Sequence, residues 1–187
     1  PMSTDRALSM VIRMCGGAEM LHRAGYVHRD IKPSNIMINA FGSPVLTDFG
    51  VSEPVGADPR GGRDGFSVMW APPEQIAGTA RAHPTQDVWA LGATLWTLLM
   101  GRSPFEIPDG DNSAKAVAER VAAGEKSADR TELIKTMREY AQKKLPKLTQ
   151  SESFRSESTK RRVIMFLNYH GLESVSQFIL KTKAKMR

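Results

Sequence analysis

The chain has 187 residues, of which 41% are hydrophobic and 25% are charged, and its net charge is +6. This composition fits one domain with a sizeable core and excludes a wholly disordered or fibrous chain. The longest apolar stretch, residues 88–100, is shorter than the roughly 20 residues that a membrane span needs, so we expect no transmembrane helix. The single cysteine, Cys15, excludes an internal disulfide and is expected to be buried. It fits a reducing, cytoplasmic setting, with an organelle or a large assembly as alternatives.

The positive charge is concentrated in the last third of the chain. Lys and Arg number 11 against 14 Asp and Glu through Glu125, and 15 against 6 from Lys126 onward. We therefore divide the chain into residues 1–125 and a basic helical tail, residues 126–187, which is either the diverged end of the first part or a separate module. Such a tail can meet an acidic partner, an anionic membrane or RNA, but a solvated helix face is the commoner source of scattered lysines. No basic and aromatic motif supports nucleic-acid binding.

The first half of the chain is predicted to contain a helix and a hairpin. Apolar residues recur at helical spacing over residues 5–24. Two short apolar runs, Ile36–Ile38 and Val45–Leu46, flank a turn-forming segment and predict a small β-hairpin. Residues 50–65 are rich in Gly, Pro, Asp and Arg without periodicity, which predicts a long mobile surface segment.

The second half is predicted to be helical. Asp87 opens a helix that ends at Gly101, and we expect it to be the core helix. Its wide apolar face comprises five residues, Val88, Leu91, Leu95, Leu98 and Leu99. Amphipathic patterns predict three further helices, and a Ser- and Glu-rich stretch predicts a linker between the last two of them. The helices fall at residues 114–123, 132–143 and 161–180, and the linker at 148–160.

Two polar motifs lie between these elements. The first is His28-Arg29-Asp30-Ile31-Lys32-Pro33-Ser34-Asn35, and the second, starting thirteen residues after Asn35, is Asp48-Phe49-Gly50. Together they resemble the catalytic loop and the metal-binding motif of protein kinases. Residues 71–74 (Ala-Pro-Pro-Glu) resemble the end of a kinase activation segment, and residues 87–92 resemble the start of the family's buried central helix. Because all four motifs occur in the family's order, residues 5–125 are identified as similar to eukaryotic-type serine/threonine protein kinases.

The residue types in the two motifs suit phosphoryl transfer. This reaction needs a positioned hydroxyl and cations that neutralise the phosphate oxygens. Asp30 suits the role of catalytic base, and Lys32 can reach the transferring phosphate from the same loop. Asn35 and Asp48 offer the hard oxygen ligands that Mg²⁺ prefers, shared with the phosphates of ATP, so ATP and Mg are the implied cofactors. Taken singly, each residue is also an ordinary turn former.

The resemblance implies scaffolding roles for several neighbouring residues. His28 and Phe49 would stack in a buried column that aligns the loops. Asp87 would hold the catalytic loop by its backbone amides. Gly50 is expected where the chain turns sharply, because glycine alone enters positive φ freely.

Two charged residues are expected to hold the activation segment. Glu74 would pair with an arginine, and Arg161 or Arg162 is available for this. Arg29 would let a phosphate on the segment lock the site through charge-assisted hydrogen bonds. No hydroxyl-bearing residue lies within residues 53–66, which counts against this form of regulation.

The substrate class follows from the same loop. Lys32 followed by Pro33 and Ser34 resembles the serine/threonine branch, because tyrosine-directed relatives generally replace that lysine. Ser67 matches the hydroxyl residue that bridges the catalytic Asp and Lys in the family, and Ser52 is the remaining candidate for phosphorylation. Phosphorylation of Ser or Thr in a protein substrate is therefore the implied reaction.

One half of the family's nucleotide site has no counterpart in the sequence. No glycine-rich phosphate loop, strand lysine or partner glutamate precedes Asp5. The expected fold is a kinase C-terminal lobe without the small lobe, mainly α with a small β-hairpin beside the catalytic loop. We expect the parent molecule to transfer phosphoryl groups from Mg-ATP, and the isolated chain to be inactive. The alternatives are a non-catalytic scaffold or pseudokinase within a larger assembly, and a partner chain that supplies the small lobe.

Overall fold

The computed structural model describes residues 1–59 and 65–124. The helices there are α1 (Thr4–Arg23), α2 (Pro73–Ile76), α3 (Pro84–Met100) and α4 (Ala114–Ala123). The strands are β1 (Tyr26–Val27), β2 (Ile36–Ile38), β3 (Pro44–Leu46) and β4 (Glu53–Pro54). The mainly helical fold predicted from the sequence is confirmed. The predicted helices at 132–143 and 161–180, the linker and the basic tail lie outside the described residues.

The helix α1 packs against α3 and β3. Its buried apolar residues recur three and four positions apart, which places them on one face of the helix: Ala7, Leu8, Val11, Met14, Cys15 and Ala18. The predicted helix and the predicted burial of its cysteine are confirmed. None of the described helices is long and apolar enough to cross a membrane.

The predicted hairpin is formed by β2 and β3. The two strands pair antiparallel, with Ile36 opposite Leu46. The side chain of Asn39 closes the turn, because its Oδ1 accepts hydrogen bonds from Phe41 N at 3.0 Å and Ser43 N at 2.9 Å. This turn fixes the register, so the hairpin begins directly after Asn35.

Part of the segment predicted to be mobile is a strand. β4 pairs antiparallel with β1, and Glu53 lies opposite Val27. Val55 N also donates to Gly25 O at 2.8 Å. The prediction of an irregular loop over residues 50–65 is therefore wrong at β4, because the pairing partner comes from a distant part of the chain that local composition does not report.

The core helix α3 begins three residues earlier than predicted, at Pro84. His83 is its N-cap, and Gln86 completes a capping box. The sequence analysis missed this start because His is not among the preferred capping residues. Gly101 ends the helix with φ +79°, as glycine commonly does. The buried apolar residues of α3 are Ala90, Leu91, Ala93, Leu95 and Trp96, whereas Val88, Leu98 and Leu99 are half-buried.

Candidate active site

Residues 28–35 connect β1 to β2 and form a polar loop in the interior. Its first four residues, His28–Ile31, are all buried. A turn of 3₁₀ helix, Pro33–Asn35, leads into β2. A buried loop needs partners for its backbone groups, so neighbouring elements must supply them.

Asp87, in the first turn of α3, supplies two of these partners. Its carboxylate accepts hydrogen bonds from His28 N and Arg29 N, both at 2.8 Å. This is the backbone contact that the resemblance implies for Asp87. The same carboxylate accepts a hydrogen bond from His22 Nε2 at 2.6 Å. The fully buried carboxylate is thereby satisfied and joins α1, α3 and the 28–35 loop at one point.

Arg29 is held at three points although its backbone is strained. Its φ is +68°, a region that costs a non-glycine residue about 1–3 kcal/mol. Its N–H binds Asp87, and its carbonyl accepts a hydrogen bond from Gln75 Nε2 at 2.8 Å. Its side chain pairs with Glu53 at 2.8 Å. These contacts hold the conformation and therefore set the direction of the next residue, Asp30.

Asp30 lies in a cluster of short polar contacts. Its Oδ1 accepts a hydrogen bond from Ser67 N at 2.8 Å. Its Oδ2 accepts one from Asn35 Nδ2 at 3.0 Å and lies 2.8 Å from Lys32 Nζ. Lys32 Nζ also donates to Ser67 Oγ at 2.6 Å. The structure thus brings together four of the residues that the sequence analysis selected.

Asn35 is joined to Thr47, the residue that directly precedes Asp48. Thr47 donates to Asn35 O through both its N–H, at 3.0 Å, and its hydroxyl, at 3.1 Å. Among residues 1–59 and 65–124, the hydrogen bonds of the Asn35 side chain use only Nδ2, which leaves its Oδ1 for a cation. Asp48 is exposed and accepts one long hydrogen bond, from Gly50 N at 3.4 Å. An amide oxygen and a free carboxylate fit Mg²⁺, which takes its remaining ligands from water and phosphate.

The sharp turn predicted at Gly50 lies at Asp48 instead. Asp48 has φ +63°, and Gly50 is not among the glycines with positive φ. Aspartate tolerates this conformation because its short side chain can bond locally. Gly50 has a different effect: a Cβ there would lie 3.3 Å from Asp48 Oδ1, so its missing side chain leaves room for the carboxylate.

His28 and Phe49 meet, but not in a buried column. Their ring centroids lie 5.0 Å apart, and His28 Nε2 donates to Thr47 O at 3.1 Å. His28 is fully buried, whereas Phe49 is 52% exposed. The expected burial of Phe49 is therefore wrong: its ring contacts His28, but half of its surface remains exposed.

Two further expectations concern the segment that ends at α2. Glu74 lies half-buried in α2, and no arginine within the described residues pairs with it. Arg161 and Arg162 lie outside those residues. Ser52 Oγ donates to His28 O at 3.3 Å, so this hydroxyl is part of the loop's support.

The sequence analysis missed three residues that hold the loop: His22, Gln75 and Glu53. Each binds a group far away in the chain, and His22 and Asp87 are 65 positions apart. No local pattern reports such partners. A polar residue at a buried position of a helix is the signal that Gln75 could have given, since buried polar groups need partners.

The sequence matches the protein kinase domain family over residues 1–165. The chain belongs to the protein kinase family. This kinase chain is 37% identical over 112 residues to serine/threonine-protein kinase PknK of Mycobacterium bovis, covering 59% of the chain and 10% of that protein.

Two more relatives carry similar names. The chain is 33% identical over 120 residues to the probable serine/threonine-protein kinase PknB of Lactococcus lactis, covering 63% of the chain and 18% of that protein. It is 30% identical over 135 residues to serine/threonine-protein kinase 16 of Homo sapiens, covering 65% of the chain and 44% of that protein. The kinase chain thus spans less than half the length of each of these relatives. The resemblance to serine/threonine kinases is confirmed at the level of the family.

Proposed function

We propose that this chain carries the catalytic residues of a protein serine/threonine kinase, which transfers the γ-phosphoryl group of ATP to a hydroxyl group of a protein. The observation that supports this most strongly is the polar cluster in which Asp30 binds Lys32, Asn35 and Ser67 at 2.8–3.0 Å. The relatives named as serine/threonine kinases support the same acceptor class.

Asp30 and Lys32 are proposed to act on the reacting groups. Asp30 orients the acceptor hydroxyl and accepts its proton, and its three contacts hold the carboxylate in one orientation before the substrate arrives. Lys32 lies 2.8 Å from that carboxylate and brings a positive charge to the transferring phosphate. Ser67 fixes the lysine through its hydroxyl and the aspartate through its N–H. One residue of the activation segment therefore positions both groups.

Asn35 and Asp48 would hold Mg²⁺, which when bound neutralises charge on the phosphate oxygens. The Asn35 amide is oriented for this task, because its Nδ2 donates to Asp30 O at 2.9 Å and to Asp30 Oδ2 at 3.0 Å. Its oxygen is thereby directed away from the base. The Asn35 side chain thus joins the proposed metal site to the proposed base, Asp30.

We infer further that these residues supply the C-terminal lobe of the kinase. The mainly helical fold and the order of the four motifs support this. The chain spans less than half the length of the relatives reported above, and a misplacement of the γ-phosphate by about 1 Å can cost roughly 10²-fold in rate. The activity should therefore be measured on the full product of the native gene.

The test is transfer of labelled phosphate from ATP to a generic basic protein by that full-length product. We expect phosphoserine and phosphothreonine in the acceptor, and their loss in Asp30→Asn. Incorporation only on tyrosine would contradict the proposed acceptor class. Full-length protein that binds a partner but never transfers phosphate would instead identify a scaffold.

A further inference from the structure

A buried ion pair joins the 28–35 loop to β4. Arg29 Nη1 lies 2.8 Å from Glu53 Oε2, and the two side chains are 6% and 2% exposed. Burying two charges is costly unless they meet in good geometry, so a short contact between two buried charged groups keeps their side chains together. The pair therefore couples the position of the loop to the position of β4.

The backbone delivers Glu53 to this place. Its strand pairs antiparallel with β1, where Glu53 lies opposite Val27, two residues before Arg29. Val55 N continues the ladder by donating to Gly25 O at 2.8 Å. The carboxylate thus approaches Arg29 from a strand whose backbone is already ordered by pairing with β1.

A guanidinium in this position can be neutralised by a carboxylate or by a phosphate on a nearby residue. Residues 53–66 contain no Ser, Thr or Tyr, so this stretch cannot carry a phosphate to Arg29. The two flanking hydroxyls are already engaged: Ser52 Oγ donates to His28 O, and Ser67 Oγ accepts from Lys32 Nζ. Glu53 supplies the negative charge from within the chain.

We propose that Glu53 is a positioning residue for the phosphoryl transfer. Its carboxylate holds Arg29, and through Arg29 it holds Asp30, so the active geometry does not depend on phosphorylation of the segment between β4 and α2. This inference rests on the proposed function. It replaces the phosphorylation switch that the sequence suggested for Arg29 with a permanent ion pair.

The test compares Glu53→Gln with Asp58→Asn in the full-length protein. Asp58 lies between β4 and α2 and forms a 2.8 Å ion pair with Arg81. Both side chains are mostly exposed, so loss of this ion pair is a matched control for loss of the buried one. We expect Glu53→Gln to lower kcat roughly 10²-fold with an unchanged KM for ATP, since a displaced base affects the chemical step. Asp58→Asn should retain the wild-type kcat, and phosphatase treatment of the wild type should leave its rate unchanged.

Hydrogen–deuterium exchange provides a readout that does not require activity. The amides of His28, Arg29 and Val55 should exchange faster in Glu53→Gln than in Asp58→Asn, because the ion pair no longer holds the loop on β4. If near-UV circular dichroism shows that Glu53→Gln does not fold, Glu53→Asp replaces it, because it keeps the charge but shortens the side chain. We expect the same fall in kcat and the same faster amide exchange in this variant.

Three results would overturn the inference. They are a wild-type kcat in both Glu53 variants, unchanged exchange of the three amides, and loss of wild-type activity after phosphatase treatment. A full-length protein without any activity would contradict the proposed function instead, and the exchange rates would then still decide whether Glu53 holds the loop.

Discussion

His22 Nε2 lies 2.6 Å from the Asp87 carboxylate, and this hydrogen bond joins the last turn of α1 to the first turn of α3. Both side chains are almost completely buried. Because Asp87 also binds the backbone of His28 and Arg29, the packing of the two helices determines where the 28–35 loop lies. The position of the 28–35 loop is therefore a property of the helical core rather than of the loop alone.

Replacing His22 with Ala should destabilise the protein without touching the reacting groups. The buried Asp87 carboxylate would lose one of its three donors, which costs about 1–3 kcal/mol in the free energy of unfolding. Urea denaturation followed by tryptophan fluorescence measures this, since all three tryptophans lie within residues 70–96. Met20→Ala is the control, because Met20 is exposed on the same helix and its loss should change stability by less than about 0.5 kcal/mol. Equal stability of the two variants would contradict the role given to His22.

Replacing Asp30 with Asn should remove the base and keep one of the contacts that hold this side chain. The Asn oxygen can still accept the hydrogen bond from Ser67 N, but its NH₂ group would replace the oxygen that faces the donors Asn35 Nδ2 and Lys32 Nζ. The fold of the variant is therefore checked by near-UV circular dichroism. We expect kcat to fall roughly 10²–10⁴-fold, the usual contribution of general base catalysis. The measurement is kcat of the full-length protein, together with nucleotide binding, which should be retained. A variant with more than half of the wild-type kcat would show that Asp30 is not the base.

Replacing Asp48 with Asn should raise the Mg²⁺ requirement. The exposed carboxylate has no strong partner within the described residues, so we expect its main effect on the metal. The Mg²⁺ concentration for half-maximal rate should rise by roughly tenfold or more. A titration of the full-length protein with Mg²⁺ at fixed ATP measures the shift. Asp58→Asn should leave the titration unchanged, and an equal shift in both variants would indicate a general charge effect.

Ser67 should be replaceable by Thr but not by Ala. Its hydroxyl accepts a 2.6 Å hydrogen bond from Lys32 Nζ, and a hydrogen bond to a charged group contributes about 1.5–3 kcal/mol. Ser67→Ala should therefore lower kcat by roughly 10- to 100-fold, whereas Ser67→Thr should retain most of it. Steady-state kinetics of the two variants checks this. Similar losses in both would mean that the hydroxyl does not position the lysine.

The local elements were predictable because their signals are local. The periodicity of α1 and α4 and the turn chemistry at Asn39 lie within the elements themselves, and their predicted bounds agree with the structure to within a residue or two. The start of α3 and the strand β4 were missed for the opposite reason. His83 caps α3 through a less common residue type, and β4 exists only because β1 lies beside it.

The sequence by itself determined which groups are proposed for the chemistry: a carboxylate, an ammonium group and two oxygen ligands, at Asp30, Lys32, Asn35 and Asp48, in motifs that resemble those of protein kinases. Residue types and their order are properties of the chain, so no coordinates are needed to see them. Only the tertiary structure decided which groups meet. Two buried pairs illustrate this: His22 with Asp87, and Arg29 with Glu53. The partners of each pair lie on different parts of the fold, so the packing of those parts, rather than local sequence, sets the contact.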